Sequence, residues 1–271
     1  MNPWLETSGV IALATAGVGL GLWFSRLQSR LWLLGYVLPL LLILQISAAR
    51  WFSALEFVPP FSWVLAGRAE FALIALIATM VLTTPMARLP QRRQRIAVAV
   101  FMVVVLADFS IWPFLAPAFN RNLLANLKTR IDRNGVCRQS TNYNCGPAAA
   151  VTALRILGLP AEEGQIAIDA HTSQAIGTPP DLLARALRRR YSNDGLTVEY
   201  RHFRTVDELP TDGLVLAVIK FGVFVDHYVT ILAQRGPILI VADPLDGLHE
   251  MRHEEFRQKW RRTAIVLRRK T

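Results

Sequence analysis

The feature that most constrains this chain is where its apolar residues fall. Crossing the hydrocarbon core of a bilayer takes about 20 residues of apolar helix. Four stretches approach that length, residues 4–24, 31–49, 71–87 and 96–118, separated by short basic punctuation. The chain as a whole is 52% hydrophobic and 18% charged over 271 residues, too apolar for an ordinary soluble domain and too charged for a pure membrane bundle. Two regions are therefore expected: a transmembrane helical anchor over residues 1–119 and a globular domain over residues 120–271, with the boundary near Asn120. The second region, roughly 150 residues, is long enough to hide about two-thirds of its unfolded surface and needs no covalent staples. Its two cysteines, Cys137 and Cys145, imply no disulfide framework.

The first stretch carries Glu6 and lacks a basic leading region, and a second stretch follows within a few residues. It is therefore expected to remain as a span rather than to be cleaved as a signal. Residues 51–64, with Pro59, Pro60 and several aromatics, are too interrupted to span and read as an interfacial or re-entrant connection, or as a plain loop. Arg26 and Arg30 mark the first connection, and Arg88, Arg92, Arg93 and Arg95 the third, whereas the second balances Arg50 and Arg68 against Glu56 and Glu70. Basic loops are retained on the cytoplasmic side, so four spans put both termini outside and the C-terminal domain in the periplasm or at the outer face of a bacterial inner membrane. Arg121, Lys128, Arg130 and Arg133 weigh the other way, but large domains translocate largely regardless of charge.

No histidine precedes His171, which excludes a His-ligated haem or a His-rich metal site in the bundle. Asp108 is the one acid well inside a stretch; it reads as bonded within the bundle or near an interface, or as a polar contact with a substrate or partner. The net charge of +10 lies beside apolar runs and along one helix without a nucleic-acid motif, so the lipid bilayer, not nucleic acid, is the expected partner for it.

Chemistry concentrates in the second region. Residues 148–157 are Ala-rich and helix-forming, Pro147 suits a first turn and Gly158 a stop. Cys145 then sits at a helix N-terminus, where unpaired amides and the positive dipole end favour thiolate over thiol. A nucleophilic cysteine needs a base and a third group that orients the base. His227 lies in a β-branched stretch, residues 222–232, that reads as a buried strand. The next apolar strand, residues 238–242, ends at Asp243-Pro244, so an antiparallel pair joined by a turn at residues 234–237 brings His227 and Asp243 together. Asp226 points to the other face.

Gln139, six residues before the cysteine, and the backbone N–H of Cys145 are candidate oxyanion donors; Asn142 and Asn144 compete for that role or for capping the helix. Cys137 reads as a small buried side chain. His249 and His253 have helical spacing but no third ligand, so no metal or cofactor is expected. His171 and His202 have no identifiable partner.

These residues, in this order, resemble the papain-like peptidases that remove double-glycine leader peptides from bacteriocins and related secreted peptides. The likeness runs from Gln139 through Cys145-Gly146, His227-Tyr228-Val229 and Asp243-Pro244 with Gly247, to a closing Glu255-Phe256 and Trp260. It implies an α+β fold in which an N-terminal catalytic helix packs on an antiparallel sheet. It also implies Gln139 at the oxyanion, Cys145 as nucleophile, His227 as base and Asp243 as orienter. The chain departs from the family in having Asn144 where Asp is usual and Arg261 where Gly often follows the tryptophan. No Walker motif occurs, so any export transporter would be a separate partner. The expected activity is cysteine peptidase cleavage of a peptide or protein substrate, for which the resemblance implies a double-glycine-type leader. The rivals are a thioester-forming acyltransferase on the same fold and a non-catalytic peptide-binding module.

Overall fold

The computed structural model describes residues 3–59, 61, 69–222 and 225–269, and the chain forms two compact units, Met1–Ala118 and Phe119–Thr271. The first unit is helical. Its helices are α1 (Pro3–Ser25), α2 (Leu34–Trp51), α3 (Ala69–Thr83) and α4 (Arg92–Val105), the last running through a π-helical turn, Leu106–Ile111, into α5 (Trp112–Phe119). Among the described residues, three helical stretches are long and apolar enough to cross a membrane: Trp4–Ser25, Arg30–Ala48 and Arg92–Phe119. The stretch expected over residues 71–87 ends earlier, because α3 stops at Thr83. Pro85 is the reason at its C-terminal end, because a proline disfavours helical backbone in the residue before it.

The expected connection over residues 51–64 lies partly outside the described residues, as does Arg68. Its visible part is a short 3-10 turn, Ser53–Phe57. Asp108 lies in the π-helical turn with its side chain exposed. α1 and α3 pack closely because a side chain at Gly17 would collide with Thr79, and one at Gly21 with Thr83. The Thr79 and Thr83 hydroxyls donate to the carbonyls of Ala75 and Thr79, so these polar groups are satisfied within an apolar helix pair.

The second unit is α+β. A short helix α6 (Arg121–Ala125) and a two-stranded hairpin, β1 (Arg130–Ile131) with β2 (Cys137–Arg138), precede three helices: α7 (Cys145–Ile156), α8 (Glu163–Asp169) and α9 (Pro180–Tyr191). The remaining strands are β3 (Leu196–His202), β4 (Leu214–Lys220), β5 (Asp226–Arg235), β6 (Ile238–Asp243), β7 (Gly247–Arg252) and β8 (Trp260–Arg269), with helix α10 (His253–Lys259) between the last two. They form one antiparallel sheet in the order β3-β8-β4-β5-β6-β7.

The period of two along β4 makes the sheet two-sided. Leu214, Leu216 and Val218 pack with the alanines of α7 and with Leu183 and Leu187 of α9. Val215, Ala217 and Ile219 pack on the opposite face with Phe203, Phe256 and Trp260. Both faces are thus covered, which explains why β4 reads as a continuous apolar run rather than an alternating one. The expected strand over residues 222–232 begins at Asp226; Val223 and Phe224 lie outside the described residues.

Candidate active site

α7 opens at Cys145. Asn144 before it has left helical geometry (φ −115°, ψ 27°) and makes no side-chain cap. Small side chains let the helix lie directly on the sheet: Ala148, Ala149 and Ala150 are fully buried, and the Thr230 hydroxyl on β5 donates to the Ala149 carbonyl at 2.9 Å. At Gly146 an added Cβ would fall 3.0 Å from Thr178 and 3.3 Å from the Tyr228 ring. The Tyr228 hydroxyl in turn donates to the Thr178 carbonyl at 3.0 Å. The first turn of α7 is thereby fixed against β5, with Cys145 at its positive end.

His227 is the second residue of β5 and Asp243 the last of β6. Thr230 pairs with Ala242, so Asp243 is set diagonally from His227 on the same sheet face. The His227 Nε2 and Asp243 Oδ1 atoms are 2.8 Å apart, and His227 is only 4% exposed. Asp243 also accepts from the backbone N–H groups of Leu245 (2.7 Å) and Asp246 (3.4 Å), because Pro244 turns the chain back over the carboxylate. Cys145 is the ring's other electrostatic neighbour. Burial opposes charge on the ring, but the hydrogen bond and charge of Asp243, together with the influence of Cys145, outweigh it, and the His227 pKa is raised to about 9. Burial likewise works against the ionised Asp243, yet the His227 hydrogen bond and charge and the two amides bring its pKa below the usual value. With Nε2 taken by Asp243, Nδ1 is the nitrogen left for the sulfur.

Gln139 is anchored from two sides. Its backbone N–H donates to the Pro244 carbonyl at 3.1 Å, and its side-chain Nε2 donates to the Thr141 carbonyl at 2.7 Å. Among the described residues its buried Oε1 has no hydrogen-bond partner, and Nε2 carries a second N–H besides the one given to Thr141. Of the two asparagines that compete with Gln139 in the sequence, Asn144 is buried and used structurally. Its Oδ1 accepts from the Thr141 N–H (3.0 Å) and hydroxyl (2.9 Å), and its Nδ2 donates to Glu163.

Glu163, fully buried at the start of α8, escaped sequence reasoning. An acid in the first turn of a helix ordinarily reads as a solvated dipole partner, and nothing local shows that α8 turns this one inward. Gly164 gives the only hint: a Cβ there would strike the Leu124 carbonyl, so the start of α8 is pressed against α6. Burial raises the Glu163 carboxyl above its ordinary pKa, against the hydrogen bonds from Ser140.

The remaining candidates lie apart from this cluster. Asp226 turns away and pairs with Arg261 at 2.8 Å. Cys137 is buried, with its N–H donating to Thr152 Oγ1, and burial pushes its thiol up to about 12. The His249 ring sits 3.2 Å from the Gly247 carbonyl. Phe256 and Trp260 are core residues.

A small-residue helix laid across a two-sided antiparallel sheet, its leading cysteine beside a histidine that an aspartate holds from behind, defines a papain-like α+β domain. The chain belongs to the Peptidase C39 family, whose family model matches residues 133–271. Two uncharacterized archaeal proteins are similar to the same part of the chain. One, from Methanothermobacter marburgensis, is 27% identical over 144 residues, covering 53% of this chain and 95% of that protein. The other, from Methanothermobacter thermautotrophicus, is 27% identical over 143 residues, covering 53% and 94%.

Among solved structures, the peptidase domain of Streptococcus ComA, a bi-functional ABC transporter involved in quorum sensing, is 20% identical, with 49% of this chain and 96% of that one covered at a TM-score of 0.41. A double glycine motif protease from an AMS/PCAT transporter, in complex with its leader peptide, is 17% identical, with coverage of 54% and 96% and a TM-score of 0.42. A C39-like peptidase from Bacillus anthracis is 11% identical, with coverage of 53% and 98% and a TM-score of 0.43.

Proposed function

We propose that this chain is a membrane-anchored cysteine peptidase that cleaves a peptide or protein substrate. One observation carries the reading: a buried imidazole held by Asp243, with the cysteine at a helix N-terminus as its other electrostatic neighbour. In this mechanism His227 holds the proton of Cys145 as an imidazolium, and the thiolate attacks the scissile carbonyl. The developing oxyanion is met by the free N–H of Gln139 and the backbone N–H of Cys145. His227 then gives its proton to the leaving amine, and water, deprotonated by the same ring, releases the acyl group from sulfur. Asp243 keeps Nε2 engaged throughout and stabilises the charged ring.

Membership in the Peptidase C39 family supports a leader peptide of double-glycine type as the substrate class, with a separate export transporter as partner. The apolar helices of the first unit support a bilayer anchor. Counting α3 as a crossing gives four crossings. The basic residues between α1 and α2 and between α3 and α4 then lie on the cytoplasmic side and the peptidase unit on the outer one.

The test is the exported peptidome of cells carrying wild-type or Cys145→Ala protein. Loss of mature N-termini, with the variant still in the membrane fraction, is the expected outcome. Processing that persists in the variant rejects the mechanism. A lipid-derived acyl group trapped on Cys145 would instead mark acyl transfer, and a chain that binds peptides while Cys145 stays inert to thiol probes would mark a binding module.

A further inference from the structure

Glu163 binds both ends of the loop that runs from Gln139 to Cys145. Its Oε1 accepts from the Ser140 N–H at 3.0 Å and from Asn144 Nδ2. The orientation of the Asn144 amide is fixed, because its Oδ1 already accepts the Thr141 N–H; the nitrogen must therefore face Glu163, and Oε1 is an acceptor twice over. Oε2 lies 2.7 Å from the Ser140 hydroxyl oxygen, and that same oxygen lies 2.9 Å from the Lys128 carbonyl. A serine hydroxyl has one hydrogen. If it serves the carboxylate, the Lys128 carbonyl meets only lone pairs; if it serves Lys128, Oε2 and the Ser140 oxygen face each other with no hydrogen between them.

A proton on Oε2 resolves the count. The acid then donates to Ser140, Ser140 donates to Lys128, and Oε1 remains the carbonyl that takes both N–H donors. The charged and titratable groups around it are few. Arg130 of β1 is near enough to favour the anion, Cys137 of β2 is a buried neutral thiol, and Glu162 is engaged by the Thr129 hydroxyl. The Asp169–Arg190 pair closes the far end of α8.

We propose that Glu163 is a neutral carboxylic acid in the folded protein, its proton on Oε2, and that in this form it is a positioning residue clamping the loop that presents Gln139 and Cys145. The catalytic consequence rests on the roles proposed above for those two residues, whereas the protonation state does not. Glutamine has the same shape as the neutral acid, with an N–H in place of the O–H, so it should complete the same circuit. Holding a proton that the unfolded chain gives up also costs the folded state stability as pH rises from the ordinary Glu range toward the folded pKa, and glutamine is spared that cost.

The experiment compares full-length wild type, Glu163→Gln and Glu163→Ala in detergent, by melting temperature against pH, by the infrared carbonyl stretch of protonated carboxyl groups, and by turnover. Glu163→Gln is expected to melt at or above wild type at neutral pH, with a gap that widens as pH rises above the ordinary carboxyl range, and to lack one protonated-carboxyl band that wild type shows. Its kcat/KM should stay within about twofold of wild type, while Glu163→Ala, which orphans the Ser140 and Asn144 donors, should lose about tenfold or more, chiefly in kcat. The protonated state is overturned if Glu163→Gln does not fold, melts below wild type by a margin that shrinks on acidification, or leaves the band unchanged. The clamp is overturned if Glu163→Ala turns over at the wild-type rate. Should wild type itself show no peptidase activity, the proposed function fails, and the melting and infrared measurements still decide the state of Glu163.

Discussion

Replacing Asp243 by asparagine keeps the side chain's size and removes its charge, and the consequence can be worked from the geometry. Asp243 sits 2.8 Å from the His227 ring, and with Cys145 it raises the ring's pKa from 6.5 to about 9 against burial. At pH 8 a group of pKa about 9 is about nine-tenths protonated, and one returned to 6.5 is about 3% protonated. The His227 imidazolium is therefore depleted roughly 30-fold at pH 8 in Asp243→Asn, and only about fourfold or less below pH 6 to 7, where an ordinary histidine is still substantially charged.

The assay is the pH dependence of kcat/KM on a fluorogenic peptide, paired with the rate of Cys145 alkylation by iodoacetamide. In wild type the alkaline limb falls near pH 9; in the variant it moves down toward 6.5. The same linkage acts on folding. The stability contributed by a charged His227 is complete below about pH 6.5 and is lost as pH rises through about 9, so the gap in melting temperature between wild type and variant should close above that pH. An Asp243→Asn enzyme whose alkaline limb stays near 9 would refute the claim that this carboxylate holds the ring charged.

Two further outcomes follow from the same site. Iodoacetamide at neutral pH should label Cys145 in the folded protein and leave Cys137 untouched, because burial pushes the Cys137 thiol up to about 12; peptide mapping before and after denaturation checks this, and equal labelling of the two would contradict the burial argument. Gln139→Ala should lower kcat by on the order of 100-fold with little change in KM, the cost of one oxyanion donor, and a variant altered only in KM would move Gln139 from the transition state to substrate binding.

What the sequence discloses of this site follows the range of the interactions involved. Cys145 is legible because helix-start signals are local: Pro147, the alanines and Gly158 lie within one helix. His227 and Asp243 are legible as neighbours because β5 and β6 are joined by a tight turn, but the register shift between Ile231 and Ala233 that puts them on one sheet face is not written in strand length. The end of α3 was missed although Pro85 stood in plain view, since hydropathy carries a window across a proline that the backbone cannot cross in helical form. Glu163 was illegible for a different reason. Its role depends on α8 being pressed against α6 and facing the loop ahead of Cys145, a tertiary arrangement that no short window of sequence encodes.

That difference explains how the site is built. The pair His227–Asp243 rides on adjacent strands and is held by the sheet, so its geometry survives as long as the ladder does. Cys145 and Gln139 depend on a loop of irregular backbone, which no ladder fixes. Such a loop needs side-chain hydrogen bonds to hold one conformation, and here they come from Asn144, Ser140, Thr141 and Glu163. An aspartate at position 144 could accept from Thr141 as Asn144 does, but it could not donate to Glu163 Oε1, and two carboxyl oxygens would be forced together unless they shared a proton. The identity of residue 144 is thus tied to that of residue 163. The asparagine before Cys145 and the buried acid work as one unit, with the amide supplying the donor that the acid's carbonyl oxygen requires.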